Sequence, residues 1–145
     1  MKILVQKVLN ASVTVNGQKV SKIKNGLLLF VGVEKGDSES QADYLAKKTA
    51  NLRIFEDENN KMNLSIMNVK GEILAVSQFT LAADLSRGNR PGFDGAARPE
   101  DAKPLYEYFV KQLENYGISV QTGIFQADMK VELLNDGPCT FILQK

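Results

Sequence analysis

The stretch Leu27-Leu28-Leu29-Phe30-Val31-Gly32-Val33 is apolar throughout. A short, uninterrupted apolar run of this kind is typical of a strand that is covered on both faces. The turn dipeptide Asn25-Gly26 comes directly before it, and a helical pattern of apolar residues begins soon after it, at Asp37 or Ser38. We therefore predict that residues 27–33 form the central strand of a sheet.

The segments that precede this strand alternate apolar and polar residues. Lys2 to Val8 and Ser12 to Val15 both follow the period of two that is expected of a half-buried strand. The dipeptide Asn16-Gly17 readily adopts the positive φ angles of a type I′ turn. Ser12 to Ile23 is therefore predicted to be a β-hairpin.

Two helices are predicted after the central strand. The first begins at Asp37 or Ser38, and its apolar face consists of Ala42, Leu45, Thr49 and Leu52. The second has Pro104 in its first turn and Gly117 at its end. Its apolar stripe consists of Leu105, Phe109, Leu113 and Tyr116.

Further strands are predicted between and after the helices. Glu72 to Leu81 has strand character and ends in Ser77-Gln78-Phe79-Thr80. Three more strands are expected at Ile118 to Phe125, Met129 to Leu134 and Cys139 to Leu143. The fold class is therefore α+β, with an antiparallel-rich sheet or partly closed barrel and two main helices. A chain of 145 residues with 43% hydrophobic content has material for one sizeable core, so residues 1–145 are predicted to form a single domain.

The composition excludes several kinds of site. Cys139 is the only cysteine, so one chain can form neither a disulfide nor a thiolate metal cluster. Histidine is absent, which removes the usual general base and the commonest metal ligand, and with them Ser-His and Cys-His hydrolase chemistry. No metal and no cofactor are expected. No run approaches the roughly 18 apolar residues of a membrane span, and we expect a cytoplasmic protein with no membrane partner.

The charge balance gives no support for broad binding to nucleic acid. There are 18 Lys and Arg residues against 17 Asp and Glu residues, for a net charge of +1. Local patches remain, namely Lys47-Lys48 with Arg53, and the group Arg87, Arg90 and Arg98. The second group is the more informative, because it lies in the long loop from Ala82 to Pro99, and loops of that length are usually functional or disordered.

Two short segments are candidates for chemistry, although each also has an ordinary explanation. Ser77, Gln78 and Thr80 stand at a strand end beside the long loop, where side chains can face a ligand or simply mark the end of the strand. No base near them could activate a hydroxyl nucleophile. Asp136-Gly137-Pro138 combines two common turn dipeptides. Either segment alone is a weak signal.

Their joint occurrence is far more specific. The Ser-Gln-x-Thr run at Ser77–Thr80, followed about sixty residues later by the Asn-x-Gly-Pro-x-Thr run at Asn135–Thr140, resembles the D-aminoacyl-tRNA deacylase family. The likeness covers nearly the whole chain. Further landmarks are Gly26-Leu27-Leu28-Leu29, Arg53-Ile54-Phe55, Gly88-Asn89-Arg90-Pro91, Gln121-Thr122-Gly123 and Ala127-Asp128-Met129.

The resemblance implies a hydrolase that cuts the ester between a D-amino acid and the terminal ribose of tRNA. It implies a homodimer whose active site lies at the subunit interface, with Ser77, Gln78, Phe79 and Thr80 in one wall. Gly137 and Pro138, joined by a cis bond, would be contributed by the partner subunit. Phe125 and Met129 match family positions near the adenosine and the pocket.

The resemblance also implies how chirality is read. Two fixed carbonyl oxygens of Gly137 and Pro138 would accept hydrogen bonds from the substrate's amino group and leave no volume for an L side chain. Glycine has no side chain, so glycyl-tRNA is expected to be cleaved as well. Backbone N–H groups around Phe79 and Thr80 are the candidate oxyanion donors, and by family precedent the 2′-hydroxyl of the terminal ribose takes the place of a side-chain base.

The sequence departs from the family pattern at two positions. Gly92 stands where a hydroxyl residue is more usual, and Cys139 occupies the variable position of the Gly-Pro-x-Thr run. Two alternative functions stay open. One is a non-catalytic module that binds the tRNA acceptor end, and the other is a general esterase that uses Thr80 as nucleophile.

Overall fold

The computed structural model describes every residue from Met1 to Lys145. Eight strands, two α-helices and one 3-10 turn, which spans Phe79–Ala82, follow each other along the chain. The strands and helices are β1 (Lys2–Val15), β2 (Gln18–Ile23), β3 (Gly26–Gly32), α1 (Glu39–Ala50), β4 (Phe55–Glu56), β5 (Met62–Leu64), β6 (Glu72–Ser77), α2 (Pro99–Asn115), β7 (Ser119–Thr122) and β8 (Met129–Gln144).

The apolar stretch that begins at Leu27 forms the central strand, as predicted. β3 pairs antiparallel with β1 on one side and parallel with β6 on the other, in the order β2-β1-β3-β6-β7. Both faces of β3 are covered, since Leu27, Leu28 and Leu29 are all fully buried. Parallel pairing at β6 and β7 adds to the antiparallel pairs of β1, and the sheet is mixed.

β1 organises the rest of the sheet. Residues 2–8 pair with β3 and residues 11–15 pair with β2, so one strand spans what the sequence divided into two. The hairpin forms as predicted, with positive φ at Asn16 and Gly17. The other edge of β1 pairs with β8 along almost its whole length.

The C-terminal region differs from the prediction. The sequence indicated three strands after the second helix, but the structure has two, β7 and the 16-residue β8. The two segments expected to be separate strands both pair with β1, which is long enough to serve as a continuous partner. The turn expected between them is instead a bulge within β8. The short β4–β5 ribbon had no sequence signal and was missed.

α1 begins where its capping residues indicate. Ser38 is the N-cap, and its backbone N–H donates to Oε1 of Gln41 at 3.0 Å, one half of a capping box. The predicted face is buried at Ala42, Leu45 and Thr49. Leu52 lies beyond the end of the helix.

α2 begins earlier than predicted. Pro99 is its first residue, and the carbonyl oxygen of Arg98 accepts from the N–H groups of Asp101 and Ala102 to close the first turn. Pro104 therefore lies inside the helix rather than in its first turn. The stripe of Leu105, Phe109 and Leu113 is buried as expected, but Tyr116 forms the C-cap and is 39% exposed. Gly117 follows with φ of +77°, as its position at the helix end predicts.

The two helices pack on one face of the sheet and enclose a core of 22 buried residues. A second cluster of 7 buried residues lies on the other face, where the far halves of β1 and β2 curl over Leu28, Leu74 and Val76. This curl gives the partly closed barrel that was expected. Neither helix is long and apolar enough to cross a membrane.

Candidate active site

The wall that contains Ser77 begins where β6 ends. The strand was predicted to continue to Leu81, but it stops at Ser77 and the chain turns at once into the 3-10 turn Phe79–Ala82. The backbone N–H of Gln78 donates to the carbonyl oxygen of Val31 at 2.8 Å, which ties this turn to the end of β3. Ser77 and Gln78 are half-buried, whereas Phe79 and Thr80 are exposed.

Gly32 explains why the chain can turn so close to the sheet. A Cβ atom added at Gly32 would lie 2.9 Å from the Cβ of Leu81 and 3.1 Å from the carbonyl oxygen of Gln78. Contacts of this length to backbone leave little room for adjustment. The absence of a side chain at Gly32 therefore lets the 3-10 turn pack directly on β3.

The wall borders a cavity of about 610 Å³. Its lining brings together five of the eight site residues predicted from sequence: Ser77, Gln78, Phe79, Phe125 and Met129. Of the 16 lining residues 11 are hydrophobic, and an apolar cavity with a few convergent polar groups is typical of a small-molecule site. Two other clefts, of about 710 and 890 Å³, have mainly polar linings and contain none of the predicted residues.

Thr80 does not line the cavity, although it belongs to the same turn. Its hydroxyl oxygen accepts a hydrogen bond from the side-chain amide of Gln78. No base contacts the hydroxyl, so the structure offers nothing that would make Thr80 a strong nucleophile.

The ionisable groups of the cavity are already engaged elsewhere. Asp128 is exposed and forms an ion pair with Lys130 at 2.8 Å. Tyr106 is buried and donates its hydroxyl to the carbonyl oxygen of Ala75 at 2.9 Å. Burial raises the pKa of Tyr106 well above its usual value, so the hydroxyl keeps its proton. The lining thus provides shape and hydrogen bonds, and no free general base.

Gly137 and Pro138 lie outside this cavity. They are at the tip of a bulge in β8, where Thr140 pairs with Gln6 and Asn135 pairs with Val8. Only Lys7 separates the two partners on β1, whereas four residues separate them on β8. Both tip residues are exposed, and their peptide bond is cis, the geometry that the resemblance implies.

Polar contacts fix the base of this bulge. The side-chain amide of Asn135 donates to the carbonyl oxygens of Lys7 at 2.9 Å and Cys139 at 3.2 Å. Lys7 is only 6% exposed, and its ammonium group lies 3.0 Å from the carboxylate of Asp136. On the far side, the amide of Gln6 donates to the hydroxyl of Thr140 at 3.2 Å. An exposed tip is therefore held on a rigid base.

Cys139 points inward beneath the tip. Its side chain is 2% exposed, and burial raises the pKa of its thiol above the usual value. The thiol therefore stays protonated at neutral pH. The geometry gives it a packing role, with no nucleophilic character.

Sequence reasoning missed several of the residues that shape these two regions. Tyr106 and Ala97 line the cavity, and Lys7 supports the bulge. Tyr106 follows Leu105 at the edge of the helical stripe, where a period of 3.6 residues does not distinguish a cavity wall from core. Lys7 did carry a signal that was not used. It occupies an inward position of an alternating strand, and a lysine at such a position needs a buried partner.

Comparisons with known proteins show which family the chain resembles. The profile of the family described as D-Tyr-tRNA(Tyr) deacylase matches residues 4–144. A curated relative from Geotalea daltonii, named D-aminoacyl-tRNA deacylase, is 60% identical over 144 residues, which cover 99% of this chain and 96% of the relative.

Two solved structures share the fold. One, named c-Myc DNA Unwinding Element Binding Protein, superposes with a TM-score of 0.94 at 39% identity and covers 100% of this chain and 99% of its own. The other is described as a "probable eukaryotic D-amino acid tRNA deacylase" and superposes with a TM-score of 0.83 at 15% identity, covering 98% of this chain and 97% of its own. The α+β prediction is confirmed. The family match over nearly the whole chain also confirms the resemblance drawn from the Ser-Gln-x-Thr and Asn-x-Gly-Pro-x-Thr runs: this chain belongs to the D-Tyr-tRNA(Tyr) deacylase family.

Proposed function

We propose that this chain, a D-aminoacyl-tRNA deacylase, cleaves the ester between the D-amino acid and the terminal ribose in the cavity beside Ser77. The observation that carries the proposal is that five residues predicted from the sequence line the same cavity. Ser77, Gln78 and Phe79 come from the end of β6, Phe125 and Met129 come from the region around β7 and β8, and all five face one apolar cavity. The cavity accepts the aminoacyl group and the terminal adenosine.

The backbone supplies the oxyanion donors. Phe79 begins a single 3-10 turn, and N–H groups at the start of such a turn have no partner within it. Those of Phe79 and Thr80 stabilise the negative charge that develops when water attacks the ester carbonyl, and one such donor contributes roughly 10²–10³ in rate. Because the cavity has no free base, the neighbouring 2′-hydroxyl of the ribose relays the proton to the leaving 3′-oxygen.

A pair of changes tests this assignment. Thr80→Ala should keep activity within about threefold, since no base activates its hydroxyl. A substrate that ends in 2′-deoxyadenosine should be cleaved about a hundredfold more slowly, because the relay is missing. Complete loss in Thr80→Ala together with normal cleavage of the deoxy substrate would instead make Thr80 the nucleophile.

The chiral filter is formed by Gly137 and Pro138 of a second copy of the chain. Two features support this: the tip is exposed on a rigid base, and it does not line the cavity of its own chain. Proline fixes φ, so the carbonyl oxygens beside it have a defined direction. They accept from the substrate's amino group, while the space opposite is closed to an L side chain.

An apolar row on β1, β3 and β8 supports the homodimer. Ile142, Leu4 and Phe30 are cross-strand neighbours on the sheet face turned away from the helices. Ile142 is 70% exposed, and Leu4 and Phe30 are half-buried. An exposed apolar row beside an unpaired strand edge is a liability for a monomer. A second copy covers the row and brings its Gly137-Pro138 tip to the cavity.

Mixing two variants that each deacylate D-tyrosyl-tRNA only slowly tests the shared site. Gln78→Ala damages the wall and Pro138→Ala damages the filter. If each site combines a wall from one chain with a filter from the other, half of the randomly exchanged dimers contain one intact site, and the mixture regains about a quarter of wild-type activity. If both parts of the site belong to one chain, mixing restores nothing.

Matched substrates test the chemistry itself. We expect D-tyrosyl-tRNA and glycyl-tRNA to be deacylated and L-tyrosyl-tRNA to be spared, with the D to L ratio reduced in Pro138→Ala. An unchanged ratio in that variant counts against the filter. A general esterase predicts hydrolysis of simple activated esters without tRNA, and a binding module predicts no turnover.

The site of action that fits these features is the cytoplasm, where aminoacyl-tRNA is made and used. The single cysteine is a buried thiol and the chain has no disulfide, as expected of a reducing compartment. The whole chain, residues 1–145, acts as one domain in this scheme, because the N-terminal strand β1 pairs with the C-terminal strand β8.

A further inference from the structure

We propose that the loop tip Leu85–Pro91 binds the sugar-phosphate backbone of the tRNA acceptor arm, with Arg87 and Arg90 each contacting a phosphate. The inference rests on the proposed function, since it places the RNA next to the cavity beside Ser77. It adds the surface that holds the RNA outside the cavity.

The loop has a fixed base and an exposed tip. Asp84 and Gly92 exchange two backbone hydrogen bonds, of 2.8 and 2.9 Å, which close the tip off from the rest of the loop. The tip between this pair is Leu85–Pro91, and its chain bends at residues 86–90. Gly88, with φ of +65°, turns the chain at its end.

The base of the loop is attached to the wall formed by Ser77–Thr80. The ring of Phe93 packs against that of Phe79, with centroids 5.0 Å apart. The N–H of Ala97 donates to the carbonyl oxygen of Val33 at 3.1 Å, and both Ala97 and Pro99 line the cavity. A ligand that enters the cavity therefore passes close to this loop.

The charges of the tip are not neutralised within the chain. Three of the four arginines lie between residues 87 and 98. Arg87 and Arg90 are exposed and take part in no ion pair, whereas six lysines elsewhere pair with carboxylates, among them Lys2, Lys7 and Lys130. The nearest carboxylate in sequence, that of Asp84, accepts from the backbone N–H of Ser86 at 2.8 Å instead. The tip thus presents two free guanidinium groups with no acidic residue between them.

Phosphate is the anion that fits this pair. A guanidinium fork donates two parallel hydrogen bonds to phosphate oxygens and is more weakly hydrated than an ammonium group. The net charge of +1 gives the chain no general attraction for a polyanion, so local patches have to hold the RNA. Solvated arginines that serve only solubility would need neither a closed tip nor an attachment to the catalytic wall.

The test measures how an acceptor-stem minihelix that ends in CCA and carries no amino acid binds to the wild-type protein and to Arg87→Ala/Arg90→Ala. Binding is measured as a function of salt concentration. The matched control is Lys47→Ala/Lys48→Ala, which removes the same charge from two exposed, unpaired lysines on α1. We expect the arginine variant to bind about tenfold more weakly at low salt and the slope of log Kd against log salt to fall by about 1.4–1.8, the value for two phosphates. The control should keep the wild-type slope.

Each result bears directly on the proposal. A weaker, less salt-dependent complex in the arginine variant alone supports it, and equal losses in both variants overturn it, because only total charge would then matter. Unchanged binding in the arginine variant also overturns it. Arg87→Lys/Arg90→Lys, which keeps the charge, should recover most of the slope. Failure of the proposed catalytic site would appear separately, as lost turnover with normal minihelix binding.

Discussion

The Ser77–Thr80 wall and the Asn135–Thr140 bulge are held in place by different forces. The wall depends on close backbone packing: Gln78 donates to β3, and Gly32 leaves room for the 3-10 turn. The bulge depends on polar contacts, chiefly those of Asn135 with backbone carbonyls and of Lys7 with Asp136. The wall should therefore respond to changes in volume, and the bulge should respond to changes in charge and hydrogen bonding.

The largest effect is expected from Gly32→Ala. The new methyl group meets the backbone of Gln78 and the Cβ of Leu81, so the 3-10 turn has to move. A displacement of about 1 Å at a catalytic centre can cost about a hundredfold in rate, and we expect a loss of that order in kcat/KM for D-tyrosyl-tRNA. The added atom should also lower the free energy of unfolding by about 1–3 kcal/mol.

Gly95→Ala is the matched control for that change. A Cβ atom there would lie 3.6 Å from the carbonyl oxygen of Ala82, an ordinary contact. The control should retain its activity and its thermal midpoint. If Gly32→Ala is as active as Gly95→Ala, the wall does not depend on close packing at β3.

The second-largest effect on activity is expected from Lys7→Met. The substitution keeps most of the side-chain volume but removes the partner of Asp136, whose side chain is 40% exposed. Because Asp136 can be hydrated, the loss of stability should be modest, about 1–2 kcal/mol. A less rigid tip should lower the ratio of D-tyrosyl to L-tyrosyl deacylation by about tenfold.

Lys2→Met separates position from charge in that experiment. Lys2 lies on the same strand and also forms an ion pair, with Glu34 at 2.8 Å, but it does not contact the bulge. The Lys2→Met variant should keep the wild-type ratio of D-tyrosyl to L-tyrosyl deacylation. A ratio that falls equally in both variants would show that Lys7 acts through general charge or stability.

A smaller effect is expected from Tyr106→Phe. The ring stays in the cavity, but the carbonyl oxygen of Ala75 loses one of its two donors and keeps the N–H of Gly123 at 3.1 Å. We expect the free energy of unfolding to fall by about 1 kcal/mol and kcat to change little, as measured by chemical denaturation and single-turnover kinetics. A large loss of kcat with normal stability would give the hydroxyl a direct role in the reaction.

The smallest effect concerns acid pH and the loop tip. Hydrogen bonds from the hydroxyl and the backbone N–H of Ser86 lower the pKa of Asp84 below its ordinary value of 3.8. A lowered pKa means that this support is present above pH 3.8 and is lost as the pH falls through the folded value. Exchange of the backbone amide hydrogen of Ser86 should therefore become faster, relative to neighbouring amides, as the pH falls through the folded-state pKa of Asp84. Asp84→Asn should abolish the difference.

The sequence predicted the elements with strong local signals. The apolar run of β3, the Asn16-Gly17 hairpin turn and the cap of α1 at Ser38 all depend on neighbouring residues, and the structure has them where expected. The start of α2 was wrong because Pro99 and Pro104 both suit a first turn. Only the position of the Arg98 carbonyl distinguishes them.

The site was harder to predict than the fold, for a related reason. The two motifs could be recognised, but their mutual arrangement depends on the register of β8 against β1, which is a tertiary property. The sequence predicted a turn at Asp136–Pro138 between two strands, since Asp-Gly and Gly-Pro are common in turns. Pairing with β1 on both sides converted the turn into a bulge, and no local pattern encodes that partner.

The bulge in β8 also bears on how such a site can change over time. A single residue of β1 faces four residues of β8, and strand pairing resumes on both sides. The number and kind of residues in the excursion can therefore vary without shifting the register of any strand. The tip that we propose as the chiral filter is thus an insertion that evolution or a protein engineer can lengthen, shorten or exchange while the barrel keeps its shape.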